Sequence, residues 1–111
     1  MIELVSFGEA IKALNNGLRV QREGWNGKGL FVFRQVPAEI SHAIVPKMQS
    51  LPQTVKDEFV KRYNESSSTN SLEHLSIRYK DQLALVNPNN TISGWSPSTN
   101  DALAEDWVIL N

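Results

Sequence analysis

Three of the six glycines in this chain fall within one stretch, Gly24, Trp25, Asn26, Gly27, Lys28, Gly29, and short runs of strand-forming residues lie on either side of it. An Asn-Gly pair tolerates positive φ at both central positions of a type I′ turn. The run from Leu18 to Arg22 and the run from Leu30 to Phe33 therefore read as two arms of a hairpin closed at Asn26 and Gly27. The same stretch holds a tryptophan whose neighbours are glycines, an amide and an ammonium instead of other apolar side chains. Trp25 then has two readings: its ring folds back to cap the core, or it is offered as a binding surface.

Upstream, Ser6 and Glu9 have capping-box spacing, and Phe7, Ala10, Ile11 and Leu14 recur at helical period before Asn16 and Gly17. Past Pro37 the pattern changes. Pro46 and Pro52 punctuate helical stretches between Ala38 and Asn64, and Val55, Phe59, Val60 and Tyr63 mark one amphipathic face, which predicts a helix from Thr54 to Tyr63. The polar run Ser66 to Ser71 is too poor in apolar residues to pack and reads as a mobile loop. Leu75, Ile77 and Tyr79 alternate with polar residues ahead of Lys80 and Asp81, and Leu83 to Val86 follow, which suggests a second hairpin. A short strand at Thr91 to Trp95, a short helix at Ser98 to Ala104 and a terminal strand at Trp107 to Leu110 complete the pattern. Strand runs that follow one another without intervening long helices favour antiparallel pairing. The expected class is α+β: a small antiparallel sheet with an N-terminal helix packed on it and an inserted helical segment. With 111 residues and 41% hydrophobic content, one domain over 1–111 is expected, with a helical and serine-rich insertion at 37–71.

Eleven basic and twelve acidic residues give a net charge of −1, which argues against duplex DNA as a partner, because that binding usually needs a basic face. The chain has no cysteine, so disulfides, thiolate nucleophiles and thiolate zinc sites are excluded. No apolar run approaches the roughly 20 residues that span a bilayer, and Glu3 stands where an export signal would be basic. No membrane association is expected.

Nucleophilic catalysis needs a hydroxyl beside a base and a group that orients the base. His42 and His74 lie far apart in sequence, and neither sits in a glycine-flanked elbow; His42 reads as flanking a helix and His74 as lying beside a strand. Glu105 and Asp106 are adjacent carboxylates that an extended chain would point to opposite faces, so a solvated charge pair is expected. The residues thus argue against an enzyme, and neither metal nor cofactor is called for. A denser polar signal lies at Ser98, Thr99, Asn100 and Asp101. These residues start helices, and capping of this kind is worth about 1 kcal/mol. They also offer hydroxyls, an amide, a carboxylate and free backbone N–H groups of the sort that grip phosphate and ribose. Trp95 precedes this cluster as Trp25 stands within the other, whereas Trp107, followed by Val108, Ile109 and Leu110, reads as core. An aromatic plane beside sugar and phosphate ligands describes a nucleotide site.

Phe7, Gly8, Glu9, Ala10 through Gly17, the run Arg22, Glu23, Gly24, Trp25, Asn26, Gly27, Lys28, Gly29, and the C-terminal Asp101, Ala102, Leu103, Ala104, Glu105, Asp106, Trp107 together resemble the Thoeris anti-defence sponge family of phages, the second of its two types. The resemblance implies a protein that does no chemistry on its ligand. It would assemble as a homo-oligomer, a tetramer, and sequester cyclic nucleotide second messengers of bacterial immunity, notably glycocyclic ADP-ribose and in some members the cyclic oligonucleotides of CBASS. The cytoplasm of the infected or lysogenic bacterial host is the implied location. Phe7, Trp25, Asn26, Lys28, Trp95, Ser98, Thr99, Asn100 and Asp101 would be the ligand-facing positions. Short members join the first hairpin to the later strands by a compact loop, where this chain carries Ala38 to Asn64 and the serines. From a different class, a phage protein–protein interaction module with exposed aromatics is the alternative, and a hydrolase of such nucleotides is a third reading.

Overall fold

The computed structural model describes residues 2–25, 28–67 and 75–111. It divides into two compact units, one formed by Met1–Val36 with Asp81–Asn111 and the other by Pro37–Lys80. Every strand pairing among the described residues is antiparallel, and the class is α+β, as expected.

The first unit opens with α1, Phe7–Asn15, which has the predicted stripe: Ala10, Ala13 and Leu14 are buried, with Phe7 and Ile11 half-buried beside them. The Ser6 hydroxyl caps the helix by accepting the Glu9 N–H at 3.2 Å, while the Glu9 carboxylate turns to Lys12. Gly17, at φ +83°, ends it, and its N–H donates to the Leu14 carbonyl. Five strands follow: β1 (Arg19–Arg22), β2 (Phe31–Gln35), β5 (Gln82–Val86), β6 (Ile92–Gly94) and β7 (Trp107–Leu110). They form one sheet in the order β6-β5-β2-β1-β7. A short α3, Thr99–Leu103, separates β6 from β7. Leu14 from α1, Val20 from β1, Val32 from β2 and Trp107 from β7 are fully buried and join in one core.

The first hairpin forms, but not around a two-residue turn. Closure at Asn26 and Gly27 would set Val20 opposite Phe33, whereas the structure sets Val20 opposite Val32. That one-residue shift puts both valines in the core, a stronger determinant of register than local turn chemistry. The connection runs over residues 23–30 and includes a 3₁₀ turn at Glu23–Trp25 and a positive φ at Gly29. Asn26 and Gly27 themselves lie outside the described residues.

In the second unit β3, Ala38–Ser41, pairs with β4, Ser76–Tyr79, bringing Ile40 opposite Ile77. A 3₁₀ turn at Val45–Lys47 buries Val45, and α2 runs from Gln53–Ser67. Two expectations are corrected here. The stretch from Ala38, expected to be helical, begins instead with a strand, because pairing with β4 overrides its weak local preference. The second hairpin does not form: β4 pairs with β3, whereas β5 pairs with β2 and β6. The predicted helix Thr54–Tyr63 is found and extends beyond both ends, with Gln53–Asp57 and Arg62–Glu58 contacts along its surface. Of the expected serine-rich loop, Ser66 and Ser67 close α2, and the remainder, like His74, lies outside the described residues.

Candidate functional site

Trp107 is fully buried, as read from its apolar neighbours, and the other aromatic side chains of interest gather around it. Trp25 meets it edge-on with ring centres 5.6 Å apart and planes at 81°. Trp95 does so at 6.0 Å and 80°. Phe7, from the first turn of α1, lies 5.3 Å from Trp107 and 6.5 Å from Trp95. Such edge-to-face pairs are favoured by the ring quadrupole and add about 0.5–1.5 kcal/mol each beyond area burial. The core-capping reading of Trp25 is the one the geometry bears on. Its ring caps the core against Trp107, yet Trp25, Trp95 and Phe7 are only half-buried and keep surface open to solvent.

Beside this cluster stands the first turn of α3. Ser98 and Asp101 form a complete capping box: the Ser98 hydroxyl accepts the Asp101 N–H, and the Ser98 N–H donates to Asp101 Oδ2, both at 3.0 Å. The capping reading of these two residues is the one the structure bears out. Thr99 and Asn100 project from the same turn and are exposed. The Asp101 carbonyl accepts the Trp107 indole N–H at 2.9 Å, which fixes the short helix to the central ring. Lys28 is exposed, and its backbone N–H donates to the Trp25 carbonyl.

Arg22, not among the residues expected at the site, joins it through its guanidinium. Its Nε donates to Asp106 Oδ1 at 2.9 Å and its Nη1 to Asp101 Oδ1 at 3.0 Å. The side chains are 25%, 30% and 16% exposed for Arg22, Asp106 and Asp101, so this is a half-buried network and not a surface pair. Asp106 is consequently not part of a solvated pair with Glu105; Glu105, at a bend in the chain, is the exposed one of the two. A signal for Arg22 existed in its alternation with Leu18 and Val20, which places it on the core-facing side of β1. Burial pushes the Asp101 carboxyl up, but hydrogen bonds from the Ser98 N–H, the Ser98 hydroxyl and Arg22 outweigh it and hold the group below the usual carboxylate range. Arg22 is raised, chiefly by its hydrogen bond to Asp106, against the opposing effect of burial.

Elsewhere, His42 stacks on Tyr63 at 3.7 Å and donates its backbone N–H to the Leu75 carbonyl, a packing role within the second unit. Among the described residues no group of His, Cys, Asp or Glu could hold a metal ion. No helix among them is long and apolar enough to cross a membrane. The structure therefore brings Phe7, Trp25 and Trp95 together around Trp107 and sets the Ser98–Asp101 turn beside that ring; Asn26 lies outside the described residues.

The sequence profile of the Thoeris anti-defense 2-like domain matches residues 5–110, which takes in all the motifs described above. The protein Thoeris anti-defense 2 of Bacillus phage SP01 is 31% identical over 107 residues, covering 96% of each chain.

Proposed function

This chain belongs to the Thoeris anti-defense 2-like family of phage proteins, and from that premise we propose that it counters Thoeris defence by binding and sequestering a cyclic nucleotide signal without chemically altering it. The observation that carries the reading is the pair of half-exposed tryptophans held edge-on around one buried ring, with the hydroxyl of Thr99 and the amide of Asn100 on the adjacent helical turn. Trp25, Trp95 and Phe7 supply flat apolar surface for a base. Thr99 and Asn100 are suited to ribose hydroxyls, and Lys28, with Asn26, to phosphate. Ser98 and Asp101 contribute by holding the turn in shape.

Magnitudes bear on the assembly. Stacking one base is worth about 1–3 kcal/mol and a hydrogen bond to a charged group about 1.5–3, whereas nanomolar binding needs roughly 12. A second copy of the chain closing on the same ligand would supply the missing contacts, which favours a homo-oligomeric sponge; the family resemblance implies a tetramer. Its place of action is the cytoplasm of the host, where such signals are made. Glycocyclic ADP-ribose is the first ligand to test, followed by cyclic oligonucleotides of the CBASS type.

The experiment is a thermal-shift panel of these nucleotides, with native mass measured alongside. A shift with at least one of them, and recovery of the same compound intact after heat denaturation, is expected. Absence of a shift with any cyclic nucleotide would overturn the reading. Chromatography after long incubation separates capture from hydrolysis, because a sponge returns its ligand and an enzyme returns products.

A further inference from the structure

Arg22 is the last residue of β1, and the chain passes directly from it into the 3₁₀ turn that carries Trp25. From its guanidinium one donor reaches Asp106 and another reaches Asp101. Asp106 also accepts the Glu23 N–H through its backbone carbonyl at 2.9 Å, so the start of the Trp25 turn is tied at both backbone and side chain. Asp101 closes the capping box of α3, and its carbonyl holds the indole N–H of Trp107. One planar group thus links the turn bearing Trp25, the helix that follows Trp95, and the ring that both tryptophans lie against.

Stability alone is a poor explanation for an arginine in this position. Two residues earlier on the same face, Val20 is fully buried, and a well-packed apolar side chain often matches or exceeds a buried ion pair in stability. What an apolar side chain or a lysine lacks is the rigid fork, which holds two acceptors at a set angle; an ammonium acts as a point charge. We propose that Arg22 is a positioning residue of the aromatic site, acting through Asp101 and Asp106 to fix the spacing and angle at which Trp25 and Trp95 flank Trp107. The width of the surface offered to a base is then set by a residue that does not touch it. Only this last step rests on the nucleotide-binding reading.

The test compares Arg22→Lys with the wild type at a temperature where far-UV circular dichroism shows both folded. Near-UV circular dichroism and acrylamide quenching then report the tryptophan cluster with no ligand present. The variant is expected to keep its far-UV spectrum, lose much of its near-UV tryptophan signal, and bind the nucleotide that shifts the wild type about tenfold more weakly, since a site held about 1 Å too loosely loses affinity. A variant that melts lower but keeps the native near-UV spectrum and affinity overturns the proposal and leaves Arg22 a purely structural ion pair. Should Arg22→Lys not fold, Asp106→Ala removes the acceptor of one arm of the fork and is read in the same way, with a native spectrum again overturning the proposal. If the wild type binds no nucleotide, the proposed function falls while the spectra still judge the positioning of the rings.

Discussion

Asp101 connects the chemistry of single residues to the stability of the site. Its carboxylate is held below the ordinary range by Ser98 and Arg22 despite burial, so the ionised form is favoured more in the folded chain than in the unfolded one. The resulting stability is complete above the unfolded pKa, about 3.9 for an aspartate, and is lost as pH falls through the lower folded value. Melting temperatures measured from pH 7 down to pH 2 should show the wild type losing its advantage over Asp101→Asn below about pH 4. At neutral pH that variant, whose single amide oxygen cannot serve both Ser98 and Arg22, should cost about 1–2 kcal/mol, the worth of one charge-assisted hydrogen bond. Trp107→Phe keeps a ring in the core but leaves the Asp101 carbonyl without its indole donor, and denaturant unfolding should show a loss of about 1–3 kcal/mol. Trp107 and the Ser98 cap were legible in the sequence because each is announced by adjacent residues: an apolar run in one case, capping spacing in the other. Arg22 was not, since its partners Asp101 and Asp106 stand far along the chain and only folding brings them beside β1.

The same division between local and distant causes runs through the elements. Helix α1 is legible end to end because its cap, its apolar stripe and its terminating glycine all lie within one short segment. Gly17 stands at φ +83° with open space around the position a Cβ would take, so Gly17→Ala suffers backbone strain alone. A loss of about 1–2 kcal/mol is expected on denaturant unfolding, with Gly17→Asn recovering part of it because asparagine tolerates the left-handed region. Strands β1 and β2 were legible as a hairpin, but their register was not. The Asn26–Gly27 pair points to one alignment, and the burial of Val20 against Val32 imposes another, which lengthens the connection and lets Trp25 reach Trp107. Strand β3 was missed for a related reason: Ala38–Ser41 has little intrinsic strand character and becomes a strand through β4, more than thirty residues downstream.

At the scale of the whole molecule, the division of the chain makes a direct prediction. Every proposed ligand-facing residue belongs to the unit formed by Met1–Val36 and Asp81–Asn111. Strands β2 and β5 of that unit are paired up to Gln35 opposite Gln82, and paired residues of antiparallel strands stand only about 5 Å apart. Continuing the same register puts Val36 opposite Asp81, so replacing Pro37–Lys80 by Asn-Gly should close the two strands with a two-residue turn of the type that suits their twist. The change keeps Asp81, whose carboxylate pairs with Arg34 at 2.8 Å beside the new turn, and it removes no residue of the Leu14, Val20, Val32 and Trp107 core. The shortened chain should melt cooperatively, retain the near-UV tryptophan spectrum, and keep the nucleotide-induced thermal shift of the full chain. An unfolded product would show that Pro37–Lys80 is needed for the first unit to fold. A folded product with a native tryptophan spectrum but no thermal shift would show that the aromatic wall around Trp107 does not suffice for capture, and that residues of the second unit are part of the binding surface.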